Sequence, residues 1–137
     1  MSNIDKRSLR EAAEKATKGQ WAVEFDDEIY STDGVNNEQI AMVFSENEAR
    51  DAAFIAAANP VTVLALLDEL EAKDRRNSEL TEALKQTVSG YKSCLRMGHD
   101  RILDLGGDCD SPEVMIAGNP DIRQAEKLIA AAAGKGE

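Results

Sequence analysis

The feature that most limits the fold is a heptad-like run of apolar residues that begins after Asn59-Pro60 and continues to about residue 95. Proline suits the first position of a helix, and Asn59 is a good N-cap for that helix. A helix of about 35 residues is about 50 Å long, and the short segment before it cannot cover such a helix. The sequence therefore predicts a long amphipathic helix over residues 59–97 whose stripe needs a further partner.

The stripe follows a coiled-coil register in which Asn77 occupies an a position, a known device for fixing register. We predict that one copy of the chain associates with another through the residues of this register, which are Val63, Leu66, Leu70, Asn77, Leu80, Leu84 and Tyr91. The alternative is a helix that folds back on its own chain. Apolar residues at e positions favour more than two helices or an antiparallel pair, so dimer and tetramer both stay open. These e residues are Leu67, Val88 and Leu95.

Residues 1–58 are predicted to form a small α+β head. Asp5 can cap a first helix over residues 5–17, and alternating apolar residues then predict an antiparallel meander with a turn at Asp33-Gly34. Ser45 and Glu48 match a capping box that begins a second helix. The residues expected in the head core are Leu9, Trp21, Val23, Phe25, Ile40, Met42, Phe44, Phe54 and Ile55.

The remaining segment, residues 98–137, is predicted to be a loop followed by a C-terminal helix. A second Asn-Pro helix start occurs at Asn119-Pro120. The GGDCDS stretch before it lacks the spacing of a calcium loop, and Asp110 or Ser111 suits a helix cap before Pro112. The whole chain is thus predicted as α+β: a helix–meander–helix head, a long coiled-coil-like helix and a short helical C-terminal segment.

Charge and composition exclude several classes of function. The net charge of −10 argues against direct nucleic-acid binding, which needs cations to displace counterions, and leaves a basic protein partner or mimicry of nucleic-acid charge. One histidine, His99, and two cysteines, Cys94 and Cys109, fall short of a four-ligand zinc site. We expect no metal, no cofactor and no catalytic residues. With no apolar secretion segment and no membrane-length run, a cytoplasmic protein is expected.

Two segments carry a resemblance to a known family. SLREAAEKATKGQW and DAAFIAAANPVTVLALLDELE resemble the Ead-like early-region proteins of lambdoid bacteriophages over about residues 5 to 72. Relatives often carry a proline before the tryptophan, where this chain has Lys18-Gly19-Gln20. The resemblance implies a phage or prophage accessory protein that acts in the bacterial host, on the lysis–lysogeny balance or on a host defence, and it supplies no catalytic residues.

Two functions follow from these features. The first is a non-enzymatic protein that self-associates through its coiled coil and binds a host or phage protein that the sequence does not identify. The second is an acidic inhibitor that occupies a basic DNA- or RNA-binding surface. An inhibitor needs carboxylates on one continuous face, and the candidates are Glu24, Asp26, Asp27, Glu28 and Asp33.

Overall fold

The computed structural model describes residues 4–134, so the first and last three residues of the predicted segments lie outside it. A helix, a three-stranded antiparallel sheet and a second helix precede one long helix and two C-terminal helices, which confirms the predicted α+β class. The elements are α1 Lys6–Lys15, β1 Gln20–Glu24, β2 Glu28–Thr32, β3 Asn37–Met42, α2 Glu48–Ala57, α3 Pro60–Asp104, α4 Pro112–Gly118 and α5 Pro120–Gly134.

The chain forms two compact units that divide within α3, between Lys73 and Asp74. The first unit, called the head below, contains α1, the sheet, α2 and the first turns of α3. The second unit, called the C-terminal unit, contains the rest of α3 with α4 and α5. The three-segment division at residues 58 and 97 stays a prediction.

The core of the head lies between the sheet and α2. The strands follow the order β1-β2-β3, and Ile29 on the central strand is fully buried. Ala52 and Ala56 lie one turn apart on α2 and pack with Ile29 and Val43. Because alanine lets a helix approach a sheet closely, this core is built from small and β-branched residues. Trp21, Val23, Ile40 and Ala41 pack around it.

A β-bulge on β3 changes which of its residues face the core. Ile29 pairs with Ala41, but its neighbour Tyr30 pairs with Gln39, so Ile40 is an extra residue. An extra residue inverts the alternation of every side chain beyond it. Val43 is therefore buried, whereas Met42 and Phe44 are exposed. The prediction that Met42 and Phe44 belong to the core differs from the structure for this reason.

Two further phenylalanines expected in the core also lie at the surface. Strand β1 ends at Glu24, and Phe25 enters the turn to β2 with a positive φ of 55°. Phe54 lies on α2 away from the stripe of Ala52 and Ala56. Leu9 and Ile55, also expected in the core, remain partly exposed. Trp21, by contrast, packs against the core cluster.

Helix starts were predicted well by their capping residues, with one exception. The Asp5 carboxylate accepts from the Ser8 amide at 3.0 Å, and the Asn59 side chain accepts from the Thr62 amide at 3.0 Å, which confirms both caps. The capping box at Ser45 is wrong: α2 has Asn47 at its N-cap position, and the Ser45 hydroxyl donates to Asp51.

The connection from α1 to β1 is fixed against the sheet. The Trp21 indole N–H donates to the Thr17 carbonyl oxygen at 3.2 Å, and the buried Ser31 hydroxyl donates to the Lys18 carbonyl oxygen. Gly19 has a φ of +105°, and a Cβ there would lie 2.8 Å from Ser31 Oγ and from the Thr32 carbonyl oxygen. Only glycine fits this position without strain.

In the C-terminal unit, α3 continues to Asp104, beyond the predicted end near residue 97. Ser111 caps α4 by accepting from the Val114 amide at 3.3 Å, and Asn119 caps α5 by accepting from the Ile122 amide at 3.0 Å. Asn119 lies beside Tyr91 and Glu126 beside Lys92, while Leu128 and Ala131 line a groove with Asn77 and Leu80. Helix α5 therefore runs antiparallel along α3.

Between residues 4 and 134 no single helix is long and apolar enough to cross a membrane. Helices α2 and α3 taken together would be long and apolar enough, judged by length and composition only. They are bent by 56° at their junction.

Candidate functional site

The predicted association residues on α3, called the seam below, are not equally covered by their own chain. Leu66, Leu70 and Leu80 keep exposed fractions of 56%, 46% and 53%. Val63 and Leu84 are half-buried, and Asn77 is exposed. Tyr91 is partly exposed, and its hydroxyl accepts from the Asn119 amide group at 2.9 Å. Leucines on both sides of the unit boundary thus remain accessible.

The apolar e positions of the register are covered within the chain. Leu67 is buried in the head, Val88 is buried in the C-terminal unit, and Leu95 is half-buried. The alternative of a helix folded on its own chain therefore describes these positions, although it does not account for the exposed seam leucines. Since the e positions are already occupied, they no longer widen the stripe toward a higher oligomer.

Ion pairs hold α1 against the first turns of α3. The Arg10 guanidinium lies 2.8 Å from the Asp68 carboxylate and 3.4 Å from that of Glu71. Arg10 is about two-thirds buried, whereas both carboxylates are largely exposed. Such exposed pairs contribute little stability, so their main effect is to orient α1 on the side of α3 that carries Asp68.

A polar interruption divides the seam leucines. Lys73, at a d position, lies 2.9 Å from Glu69 one turn earlier, and the hydrogen bond from Lys73 lowers the pKa of the Glu69 carboxyl below its usual value. Asn77 follows at the next a position. The seam therefore has an apolar part on either side of a polar centre, which restricts the registers in which two copies can align.

The C-terminal unit contains an apolar groove between α3 and α5. Leu128, Ala131 and Ala132 of α5 face Leu80 and Asn77 across it. The Lys92–Glu126 ion pair and the Tyr91–Asn119 hydrogen bond hold the two helices further along. Leu80 and Leu128 are both about half exposed, so the groove extends the accessible seam onto α5.

A second apolar surface lies on the head and was not predicted as a site. Its groove, called the head patch below, is lined by Met42, Val43, Phe44, Ser45, Asp51, Phe54 and Ile55. Phe44 and Phe54 have exposed fractions of 85% and 73%. Large exposed apolar patches mark interaction surfaces in soluble proteins. One sequence signal for this surface is that Phe44 is followed by the polar run Ser45–Glu48 and not by further apolar residues.

The turn between β1 and β2 lies at the same end of the sheet as Phe44. The Val43 amide donates to the Asp27 carbonyl oxygen at 2.8 Å, which joins the end of β3 to this turn. Phe25 in the turn is 78% exposed, and both Phe25 and Asp26 have positive φ. A bulky residue in this region carries strain of about 1–3 kcal/mol and points to a role for the turn.

The five carboxylates proposed as one continuous face are divided by the sheet. Glu24, Asp26, Asp27 and Glu28 cluster at the β1–β2 turn, but Asp33 lies in the β2–β3 turn at the opposite end. Asp33 accepts from the amides of Asn36 at 2.8 Å and Val35 at 2.9 Å, which lowers the pKa of its carboxyl. Asp33 therefore builds a turn, and the acidic cluster consists of the other four.

The two cysteines and the GGDCDS stretch were weighed in the sequence as possible metal ligands. Cys94 is exposed and Cys109 half-buried, both as free thiols. Among residues 4–134, no three histidine, cysteine or carboxylate side chains are grouped so that they could hold a metal ion. Ser111 of the GGDCDS stretch serves as the cap of α4.

A model of a known protein family matches nearly the whole chain. The family model of the Ead/Ea22-like protein matches residues 2–133, which extends well beyond the resemblance over residues 5 to 72 and includes the C-terminal helices. No curated protein and no solved structure matches the chain significantly. The matching family is a phage family and is not known as a family of enzymes. Since the model spans nearly the whole chain, this protein belongs to the Ead/Ea22-like family.

Proposed function

We propose that the protein is a non-enzymatic phage or prophage accessory protein that self-associates through α3 and acts by protein–protein interaction in the bacterial host. The observation that carries the proposal is the exposure of Leu66, Leu70 and Leu80 at a and d positions. Family membership supports the phage origin. The process served is the lysis–lysogeny balance or host takeover.

Hydrophobic burial supplies the driving force for association. Full burial of a leucine is worth about 1.5–3 kcal/mol, and each seam leucine gains less because part of it is already covered. Association itself costs several kcal/mol or more. We therefore expect a reversible complex whose population depends on protein concentration.

The polar centre of the seam governs how the copies align. Asn77 at an a position favours registers in which it meets a second Asn77. Lys73 keeps its charge compensated by Glu69 of the same helix. Because Leu67 and Val88 are covered by their own chain, a dimer is favoured over a larger assembly. Bringing several heads together lets weak contacts of each head add by avidity.

The experiment is a measurement of molar mass by light scattering over a range of protein concentrations. Wild type is expected at a multiple of 14.9 kDa at micromolar concentration. The double variant Leu70→Asp/Leu80→Asp should fall to the mass of one chain, since each substitution puts a charge into the seam.

A matched control is Ala65→Asp/Ala72→Asp. It adds the same two charges to α3 at exposed c positions, outside the seam, and is expected to keep the wild-type mass. A wild-type mass of one chain at every concentration contradicts the proposal, as does equal dissociation of both variants.

A further inference from the structure

We propose that the head patch binds a basic segment of a partner protein, which inserts an apolar side chain between Phe44 and Phe54 and places lysine or arginine beside the surrounding carboxylates. It rests on the proposed function in one respect only: associated chains would present several head patches together. Self-association through α3 is not required for a single head to bind.

The apolar half of the argument comes from the groove itself. Phe44 and Phe54 line it together with Met42 and Ile55, and all four side chains are exposed. Aromatic residues in such grooves contribute a large share of binding energy at protein interfaces. The β3 bulge turns Met42 and Phe44 outward while Val43 fills the core, so their exposure follows from the packing of the head.

The charged half comes from the sequence around the groove. From Gly19 to Ala49 the chain contains only acidic charged residues, with no lysine or arginine. Asp51 lines the groove, and Glu46 and Glu48 lie in the short segment between Phe44 and α2 and at the start of α2. The acidic turn Asp26-Asp27 lies at the same end of the sheet. Arg50, one turn before Phe54 on α2, is the nearest cation in sequence and is outnumbered by these carboxylates.

The negative charge around the head patch determines which class of partner the patch can bind. Two heads that met patch to patch would bring carboxylates against carboxylates, at a net charge of −10 per chain, and like charges across an interface are costly. Anionic lipid headgroups are repelled in the same way. A segment that combines one or two large apolar residues with several lysines or arginines satisfies both the groove and its rim.

The test uses a displayed library of random short peptides selected on the wild-type protein. Enriched peptides are expected to carry an aromatic or large aliphatic residue flanked by lysine or arginine. Their dissociation constants are then measured by fluorescence anisotropy with synthetic labelled peptides. Phe44→Ser/Phe54→Ser should weaken binding at least about tenfold, and added salt should weaken binding to wild type.

The matched control is Val35→Ser, because Val35 is 87% exposed and lies in the β2–β3 turn at the opposite end of the sheet. It should leave peptide binding unchanged. Trp21 fluorescence and far-ultraviolet circular dichroism verify that both variants remain folded, as expected for substitutions at exposed positions.

Several outcomes overturn the inference. They are enrichment of acidic or uncharged peptides, absence of enrichment, and equal binding to wild type and to the Phe44/Phe54 variant. A lower molar mass of that variant would assign the patch to a second copy. Binding to anionic vesicles that the variant loses would assign the patch to a membrane.

Self-association through the seam and binding at the head patch can each be contradicted without the other. Leu70→Asp/Leu80→Asp alters the seam and should leave the affinity for a single peptide unchanged, whereas Phe44→Ser/Phe54→Ser alters the patch and should leave the molar mass unchanged. Light scattering thus tests self-association, and peptide anisotropy tests the patch.

Discussion

The head and the C-terminal unit differ in how each is stabilised. The head encloses Ile29, Val43, Ala52 and Ala56 between a sheet and a helix. Within residues 74–134, the only buried apolar side chains are Val88 and Ile122, and the groove between α3 and α5 leaves Leu80 and Leu128 about half exposed. A unit with so small a core gains stability from covering its exposed leucines. The head should therefore be stable as one chain, and the C-terminal unit should depend on association.

The largest effect is expected from Ile29→Ala, which tests whether the head has a core of its own. Ile29 is fully buried on the central strand, and truncating such a residue costs about 2–5 kcal/mol. Urea unfolding followed by the fluorescence of Trp21, the only tryptophan, measures the loss. A cost below that of Phe44→Ala would contradict the assigned core.

A smaller but distinct loss is expected from Gly19→Ala in the same unit. Alanine at a φ of +105° is strained, and its Cβ would press on Ser31 Oγ and the Thr32 carbonyl oxygen. We expect a cost of about 1–3 kcal/mol by the same Trp21 fluorescence. Gly34→Ala, at a φ of +93° with open space around it, serves as the control for backbone strain without the steric contact.

In the C-terminal unit, Tyr91→Phe tests the attachment of α5. The change removes the hydrogen bond from Asn119 at 2.9 Å, and the expected loss is about 0.5–1.5 kcal/mol. Hydrogen exchange should speed up at amides of α5 and stay unchanged in the sheet. Faster exchange in the sheet as well would mean that the two units do not respond independently.

The smallest effect concerns pH and the β2–β3 turn of the head. Hydrogen bonds from the amides of Asn36 and Val35 lower the pKa of Asp33 below its usual 3.8. The carboxylate therefore stabilises the fold fully above pH 3.8, and this contribution is lost as the pH falls through the lower folded pKa. The difference in urea midpoint between wild type and Asp33→Ala should shrink below pH 3.8. A difference that grows on acidification would mean that the protonated carboxyl of Asp33, and not its carboxylate, stabilises the fold.

What the sequence could predict depended on the range of the interactions involved. The caps at Asp5, Asn59, Ser111 and Asn119 involve residues within three positions, and their chemistry is visible in the sequence. The predicted end of α3 near residue 97 falls short of Asp104. The helix continues through Gly98, since one glycine costs a helix only about 1 kcal/mol.

Pairing across strands was less predictable. Ile40, Met42 and Phe44 alternate with Ala41 and Val43, which are also apolar, so the sequence does not decide which set faces the core. Ile40 is the bulged residue, and nothing in β3 alone shows this. The head patch depends on that bulge and on the packing of α2, so the polar run after Phe44 does not establish it without the structure. The seam could be predicted because a helical period is visible in the sequence without knowledge of its neighbours, whereas how far α5 covers it is a tertiary property.

The β3 bulge also affects how relatives should be compared. If the same residues paired regularly, without the bulge, Ile29 would pair with Ile40, and Met42 and Phe44 would turn inward while Val43 turned outward. A relative that lacks one residue at Ile40 would also pair regularly, yet it would keep Val43 inward and Phe44 outward. The phenylalanine surface is therefore lost in a homologue that keeps the strand length and loses the bulge, and it is kept in one that loses the bulged residue itself.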